Sequence, residues 1–443
     1  MFAVLGFVGM LALVTGLIHL YLWKRLVRDT LRPGRGRRIG GFLVLALALL
    51  VPATMIGTQS GAYWLAWPGY VWLALMFYLL LLLLVLELPM LLVRRLSAAR
   101  RGPAEPAPAR VDGSAAEPAL VGSGGPAEPV AEAGDGRGRD GDVPVGPAGG
   151  PVGTPAAGLA TPGHDPGRRL LLARGAAIFA GLTAAGITGY GIRTAFAPPR
   201  LDRVRIPLAK LPRSMDGLRI ATVSDIHLGP LAGRAHTERI VSLINSLDAD
   251  LVAVVGDLVD GSVAELGPAA EPLRGLRSRY GSFFVTGNHE YYSGVEEWVA
   301  EVDRLGLRVL QNARQEIRAR GGVLDLAGVN DVSGTGTGVA AGPDFEATLG
   351  GRDPSRPVVL LAHQPIQVHE AARYGVDLQL SGHTHGGQVV PFNYVVALQQ
   401  PAVAGRARFG DTELYVTTGA GFWGPPVRVG VPPQVSLVEL KSA

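Results

Sequence analysis

At 443 residues, with 61 glycines and 33 prolines, the chain is too long for one domain and too rich in helix and strand breakers for uninterrupted structure. A hydrophobic content of 48% and a mean hydropathy of +0.25 call for membrane spans, and the absence of cysteine excludes a disulfide framework while suiting an exported domain that has none. A net charge of +4 and a pI near 9.4 would suit a nucleic-acid partner, but seven basic residues fall in the short loop 24–38 between two apolar stretches, so membrane topology accounts for the basicity and no nucleic acid is expected.

Residues 2–23 form a first span without a charged residue, and no small-residue cleavage site follows it, which predicts a retained anchor. His19, beside Tyr21 and Trp23, is expected at the membrane interface. The next spans fall at 40–58 and 69–93, separated by a loop whose Tyr63, Trp64 and Trp67 make an aromatic belt. Glu87 is the acid within the third span, and the nearby Arg94 and Arg95 predict an end-of-helix residue. Residues 1–96 thus read as three transmembrane helices.

From 97 to 167 the composition falls to Ala, Pro, Gly and scattered acids with no periodicity able to bury a face, which predicts a disordered linker. Arg168, Arg169 and Arg174 then precede an apolar run at 175–192, so 168–193 reads as a fourth span, rich in small residues suited to helix packing. The paired arginines also resemble a twin-arginine export signal, although their position is internal. Basic clusters at 24–38, 94–101 and 168–174 all face the cytoplasm if the N-terminus lies outside. The protein is then a multi-pass cell-membrane protein with an extracytoplasmic domain from 201 to 443.

Within that domain, apolar runs alternate with helix-like segments such as TERIVSLINSL and GVEEWVAEVDRLG, which predicts an α/β sheet with helices on its faces. Residues 389–440 hold short β-rich runs and are expected to form a second, mixed or antiparallel half. Five apolar runs end in potential metal ligands: LRIATVS before Asp225 and His227, DLVAVVG before Asp257, YGSFFVTG before Asn288 and His289, PVVLLA before His363, and VDLQLS before His383 and His385. Such runs read as strands buried on both faces, and in open α/β sheets ligands gather beyond the strands' carboxyl ends. Five of the nine histidines lie in these clusters, so one shared site explains them better than scattered surface positions. His236 and His369 fall in helix-like segments and read as surface residues.

In order and spacing, SDIH, GDLVD, GNHE, AHQP and GHTHGGQ resemble the motifs of the calcineurin-like metallophosphoesterases over roughly residues 201–443, and the tail LYVTTGAGFWGPPVRVGVPPQVSLVEL resembles their membrane-associated bacterial branch. The resemblance implies two sheets packed between helices; the runs alone do not distinguish a sandwich from a single sheet. It also implies two divalent metal ions, one held by Asp225, His227, Asp257 and His385, the other by Asp257, Asn288, His363 and His383. No ligand position departs from the pattern. Mixed nitrogen and oxygen donors suit manganese, iron or zinc. Asp257 is the candidate bridge, because one carboxylate can join two cations about 4 Å apart that clamp a phosphoryl group and acidify a water.

By the same resemblance His289 faces the substrate, stabilising the transition state or protonating the leaving oxygen; capping the following helix is its structural alternative. Asp260, Glu290 and Gln388 serve either to orient ligands or as turn and cap residues. Phe422 and Trp423, in GAGFWGPP, are expected either at the membrane interface or substrate groove, or in the domain's own core. A zinc protease is excluded by the lack of a His-Glu-x-x-His helix, and a non-catalytic metal scaffold is disfavoured by the complete ligand set. The expected activity is metal-dependent hydrolysis of a phosphodiester or pyrophosphate, with a phosphomonoester or nucleotide diester as the alternative. The short link from the fourth span, near Ile192, to Leu201 directs the substrate expectation to a lipid or cell-envelope intermediate at the bilayer.

Overall fold

The apolar runs near the N-terminus become helices, the form in which a single segment satisfies all its own backbone groups. The computed structural model describes residues 2–99, 166–335 and 341–443. Helix α1 (Phe2–Leu22) continues through a wider-turn segment, Trp23–Arg28, and is followed by α2 (Arg35–Gln59), α3 (Ala66–Ala99) and α4 (Pro166–Ala195). Three stretches among the described residues, Arg35–Thr58, Tyr63–Leu92 and Leu170–Ala195, are long and apolar enough to cross a membrane. Of the linker expected at 97–167, residues 100–165 lie outside the described residues, as do the side chains of Arg168 and Arg169.

Two polar residues of the helices depart from expectation. His19 is buried rather than interfacial, its Nε2 lying 3.1 Å from Trp72 Nε1 and its Nδ1 2.8 Å from the Thr15 carbonyl. Glu87 does not end its helix, which runs on to Ala99; it pairs with the buried Arg25 at 2.8 Å and accepts from the Tyr21 hydroxyl at 3.1 Å. A charge in an apolar span is costly unless paired. The partner comes from a helix far away in sequence, where spacing along α3 gives no hint of it.

The α/β domain follows as β1 (Arg200–Leu208), β2 (Leu218–Val223), α5 (Arg234–Asn245), β3 (Leu251–Val255), α6 (Val263–Ala270), β4 (Ser282–Val285), α7 (Asn288–Ser293), α8 (Val295–Arg304), β5 (Arg308–Val309), β6 (Ala313–Ala319), β7 (Gly322–Gly328), α9 (Phe345–Leu349), β8 (Val358–Leu361), α10 (Val368–Arg373), β9 (Leu378–Ser381), α11 (Asn393–Val396), β10 (Gly405–Phe409), β11 (Thr412–Val416) and β12 (Gln434–Ser442). The five apolar runs are β2, β3, β4, β8 and β9, and every residue of β3, β8 and β9 is buried.

They fall into two six-stranded sheets, ordered β1-β12-β2-β3-β4-β5 and β10-β11-β9-β8-β7-β6. Strands β2 to β5 run parallel, as do β7, β8, β9 and β11. The inner faces meet in one apolar core, including Ile220, Leu251 and Phe283 from the first sheet and Leu326, Leu361 and Leu380 from the second. The outer face of the first sheet is covered by α5 and α8, whose Ile240, Ile244, Trp298 and Val302 recur at helical spacing, and that of the second carries Phe345 and Ala371.

Residues 389–440 do not form a separate half. Strands β10 and β11 extend the second sheet, whereas β12 returns to the first, parallel to β1 and antiparallel to β2. Local alternation cannot reveal such a return, because β12 pairs with strands some two hundred residues earlier. His236 is also corrected: it is buried on α5, while His369 is exposed beside the Phe409 ring. Between α4 and β1 the link shrinks to residues 196–199, and Phe196 stacks on Trp67 at 5.8 Å and meets Phe422 edge-on at 5.2 Å.

Candidate metal centre

Because β2, β3 and β4 run parallel, as do β8 and β9, their carboxyl ends deliver Asp225 and His227, Asp257, Asn288, His363, and His383 with His385 to one place. The chain must turn sharply to aim these side chains inward. Of the nine described non-glycine residues with left-handed φ, six are here: Asp225 (53°), His227 (48°), Asp257 (53°), His383 (70°), His385 (51°) and Gln388 (53°). Strained backbone of this kind costs about 1–3 kcal/mol per residue and concentrates at functional sites.

Three groups of donors result: Asp225, His227 and His385; Asp257, His363 and His383; and His227, Asp260 and His289. In the first, His227 Nε2 faces His385 Nε2 at 2.9 Å, and His385 Nε2 lies 3.4 Å from Asp225 Oδ1. In the second, His363 Nε2 is 3.1 Å from Asp257 Oδ2, and His383 Nδ1 is 2.9 Å from Asn288 Oδ1. Asp257 Oδ2 joins the two, lying 3.7 Å from His227 Nε2 as well. Its other oxygen accepts from the His289 backbone at 2.9 Å, so the carboxylate cannot swing away.

Around these donors, Asp260 Oδ1 contacts both His227 Nδ1 at 2.8 Å and His289 Nδ1 at 2.7 Å, so one carboxylate orients two imidazoles. Glu290 accepts from the backbone N–H groups of Asp257, Leu258 and Gly287 at 3.0, 2.8 and 2.6 Å, pinning the turn that carries Asp257. Gln388 holds the Trp423 loop instead of a donor, giving its amide to the Trp423 and Pro425 carbonyls and accepting from Trp423 N. The His289 ring lies edge-on to Trp423 at 6.3 Å and to Tyr292 at 5.5 Å. Trp423 is 56% exposed whereas Phe422 is buried, so the pair divides between an open rim and the packed side.

Arg428 was not anticipated from the sequence. Fully buried, it donates to the Gly421 and Thr418 carbonyls at 2.6 and 2.9 Å and lies 3.1 Å from His385 Nδ1. The available signal was a lone arginine between valines, in PPVRVGV.

The electrostatics separate these groups. Burial, then the charge of Asp257, raises the Asp225 carboxyl. Burial alone would also raise Asp257, but the imidazoles of His363, His289 and His227 hold it well below the usual range. Burial pushes His383 down to about 3, aided by the charge on His363, and His385 well below its ordinary value, aided by His227 and Arg428. An imidazole held neutral keeps a lone pair for a cation. His289 moves the other way: despite its burial, the Asp260 hydrogen bond and the Asp257 charge raise it to about 9.

These residues fit a pair of divalent cations. His363 Nε2 is buried and, although close to Asp257, is not aligned on any hydrogen-bond partner, the condition a metal ion relieves. Close approach is allowed by glycine: a Cβ at Gly287 would fall 2.2 Å from Asp257 Oδ1, and one at Gly382 1.9 Å from Ser224 Oγ and 2.4 Å from Asp225 Oδ2.

Two sheets between helices, with Asp, His and Asn donors gathered at the strand ends, define the class of the domain as a metallophosphoesterase fold. The sequence profile of the calcineurin-like phosphoesterases matches residues 218–387. A transmembrane protein with metallophosphoesterase domain from Danio rerio is 39% identical over 274 residues, covering 60% of this chain and 63% of the relative. Its counterpart from Bos taurus is 38% identical over 302 residues, 65% and 66% of the two chains. An uncharacterized metallophosphoesterase from Helicobacter pylori is 37% identical over 259 residues, 57% of this chain and 68% of the relative. The chain belongs to the calcineurin-like phosphoesterase family, and it spans a little under two thirds of the length of the two animal relatives.

Proposed function

We propose that the chain is a membrane-anchored, dinuclear-metal phosphoesterase that hydrolyses a phosphodiester or pyrophosphate bond. The observation that carries this reading is the place of Asp257 Oδ2, between His363 on one side and His227 on the other. Asp225, His227, Asp257 and His385 would hold one ion, and Asp257, Asn288, His363 and His383 the other. When bound, such ions supply positive charge to a phosphoryl group and an acidified water. His289, with Nδ1 engaged by Asp260, offers Nε2 to the leaving oxygen as proton donor. Burial first, then the charges of His227 and Arg428, oppose protonation of His385.

The test uses the purified full chain, loaded in turn with manganese, iron and zinc, on a phosphodiester, a phosphomonoester and a pyrophosphate. Hydrolysis of the diester or pyrophosphate that stops with a chelator and returns with metal is the expected result. Loss of no activity on chelation, or absence of turnover with every metal, overturns the reading.

The anchoring part of the proposal takes α1 to α4 as four spans, with the linker inside the cell and the domain outside. A reporter active only outside the cytoplasm is expected to give signal when fused after residue 443 and none when inserted near residue 130; the reverse pattern would place the domain in the cytoplasm. Since only residues 196–199 separate α4 from β1, the domain stays at the bilayer surface, which supports a lipid-borne or cell-envelope substrate.

A further inference from the structure

The domain carries an apolar segment that its core does not take up. Residues 389–398, VVPFNYVVAL, hold no charge, and Val390 (40%), Phe392 (39%), Tyr394 (72%), Val395 (52%) and Leu398 (87%) are exposed. One edge of the segment rests on α3: the Tyr78 hydroxyl donates to the Val390 carbonyl at 3.1 Å, and the Phe392 ring meets Phe77 edge-on at 6.5 Å. Val389 packs against the cluster that contains Tyr78, Leu79, Leu83, Ala180 and Ala184 of α3 and α4. Phe77 and Tyr78 lie inside the candidate span Tyr63–Leu92, well past the aromatic residues at its start. Whatever touches that span at that level lies at the depth of the hydrocarbon.

A second, independent feature suits that depth. Non-helical backbone survives next to lipid only if its polar groups are satisfied internally. Here the N–H groups of Val390, Phe392 and Tyr394 to Leu398 each have a carbonyl partner, Pro391 has no N–H, and the Val390 carbonyl is taken by Tyr78; Asn393 is the exception, its side-chain oxygen buried without a hydrogen-bond partner among the described residues. We infer that residues 389–398 insert into the outer part of the bilayer as an apolar foot of the catalytic domain, with lipid as the partner of Tyr394, Val395 and Leu398. The foot begins at the residue after Gln388, which holds the Trp423 loop at the rim beside His289. A phosphoester in a lipid headgroup would then reach the metal centre along the membrane surface. The inference rests on the membrane-spanning part of the reading above and not on its chemistry.

Because the chain has no cysteine, single-cysteine variants of the full chain take a fluorescent maleimide at one position. Leu398→Cys and Tyr394→Cys probe the foot, Phe42→Cys probes the exposed face of α2, and Asp411→Cys probes the β10–β11 turn at the far end of the second sheet. The labelled proteins are placed in phosphatidylcholine vesicles with brominated acyl chains, or in plain vesicles with iodide on both sides. Labels at 398, 394 and 42 are expected to be quenched at least threefold more by brominated lipid than the label at 411, which iodide should quench instead. If the label at 42 is lipid-quenched while those at 398 and 394 respond to iodide, the foot lies in water and the inference fails with the spans intact. If those two respond to neither quencher, protein covers the segment, and the inference also fails. A label at 42 that lipid does not quench removes the membrane reading and the foot with it.

Discussion

Asp257→Asn is expected to lower bound metal from two ions per chain to one or fewer and to reduce turnover at least about a hundredfold, a loss on the order of 3 kcal/mol in transition-state stabilisation. The wild-type carboxylate sits where its Oδ2 faces both His363 and His227, with Oδ1 fixed by the His289 N–H. Asparagine keeps the shape but removes the negative charge and turns one of the two oxygens into an N–H₂ that repels cations. The two donor groups then lose their shared ligand. Metal content by mass spectrometry and phosphodiester turnover measure the two effects separately. Turnover within tenfold of the parent with two metals still bound would falsify the bridging role.

His289→Ala is expected to leave two metals bound and to slow turnover by roughly a hundredfold or more, because the residue belongs to neither proposed ligand set and meets the donors through Asp260, its own backbone N–H and an edge-on ring contact with His227. The leaving group sharpens the test. A nitrophenolate departs without a proton, so the deficit should shrink severalfold on nitrophenyl esters and stay full on alkyl esters. An equal deficit on both would mean that His289 stabilises charge or packs the rim and does not donate a proton. A fall in metal content with unchanged activity per bound metal would make it a structural residue or a ligand.

Much of the site was legible because it is written in short, local signals. Each cluster of candidate ligands follows on a continuous apolar run, and parallel strands buried on both faces have to be such runs, so the positions of Asp225, Asp257, Asn288, His363 and His383 could be anticipated one strand at a time. Glycines beside the ligands marked where backbone comes close, as Gly287 and Gly382 do. Roles that depend on distant partners were not legible. Arg428 lies more than forty residues from His385 in sequence yet 3.1 Å away in space, and Glu87 meets Arg25 across two helices. His236 looked like a surface residue because nothing in its own helix shows which neighbour covers it.

The sequence by itself therefore determined the class of elements, the family motifs and the apolar helices, since hydrophobic period, glycine placement and charge clustering act within a few residues. Only the tertiary structure decided which oxygen of Asp257 stands between the two donor groups, that β12 returns to the first sheet, and that residues 389–398 lie along α3. Those facts depend on contacts between segments far apart in the chain, and the free energy of such contacts is set by what each surface meets, which no local stretch of residues encodes.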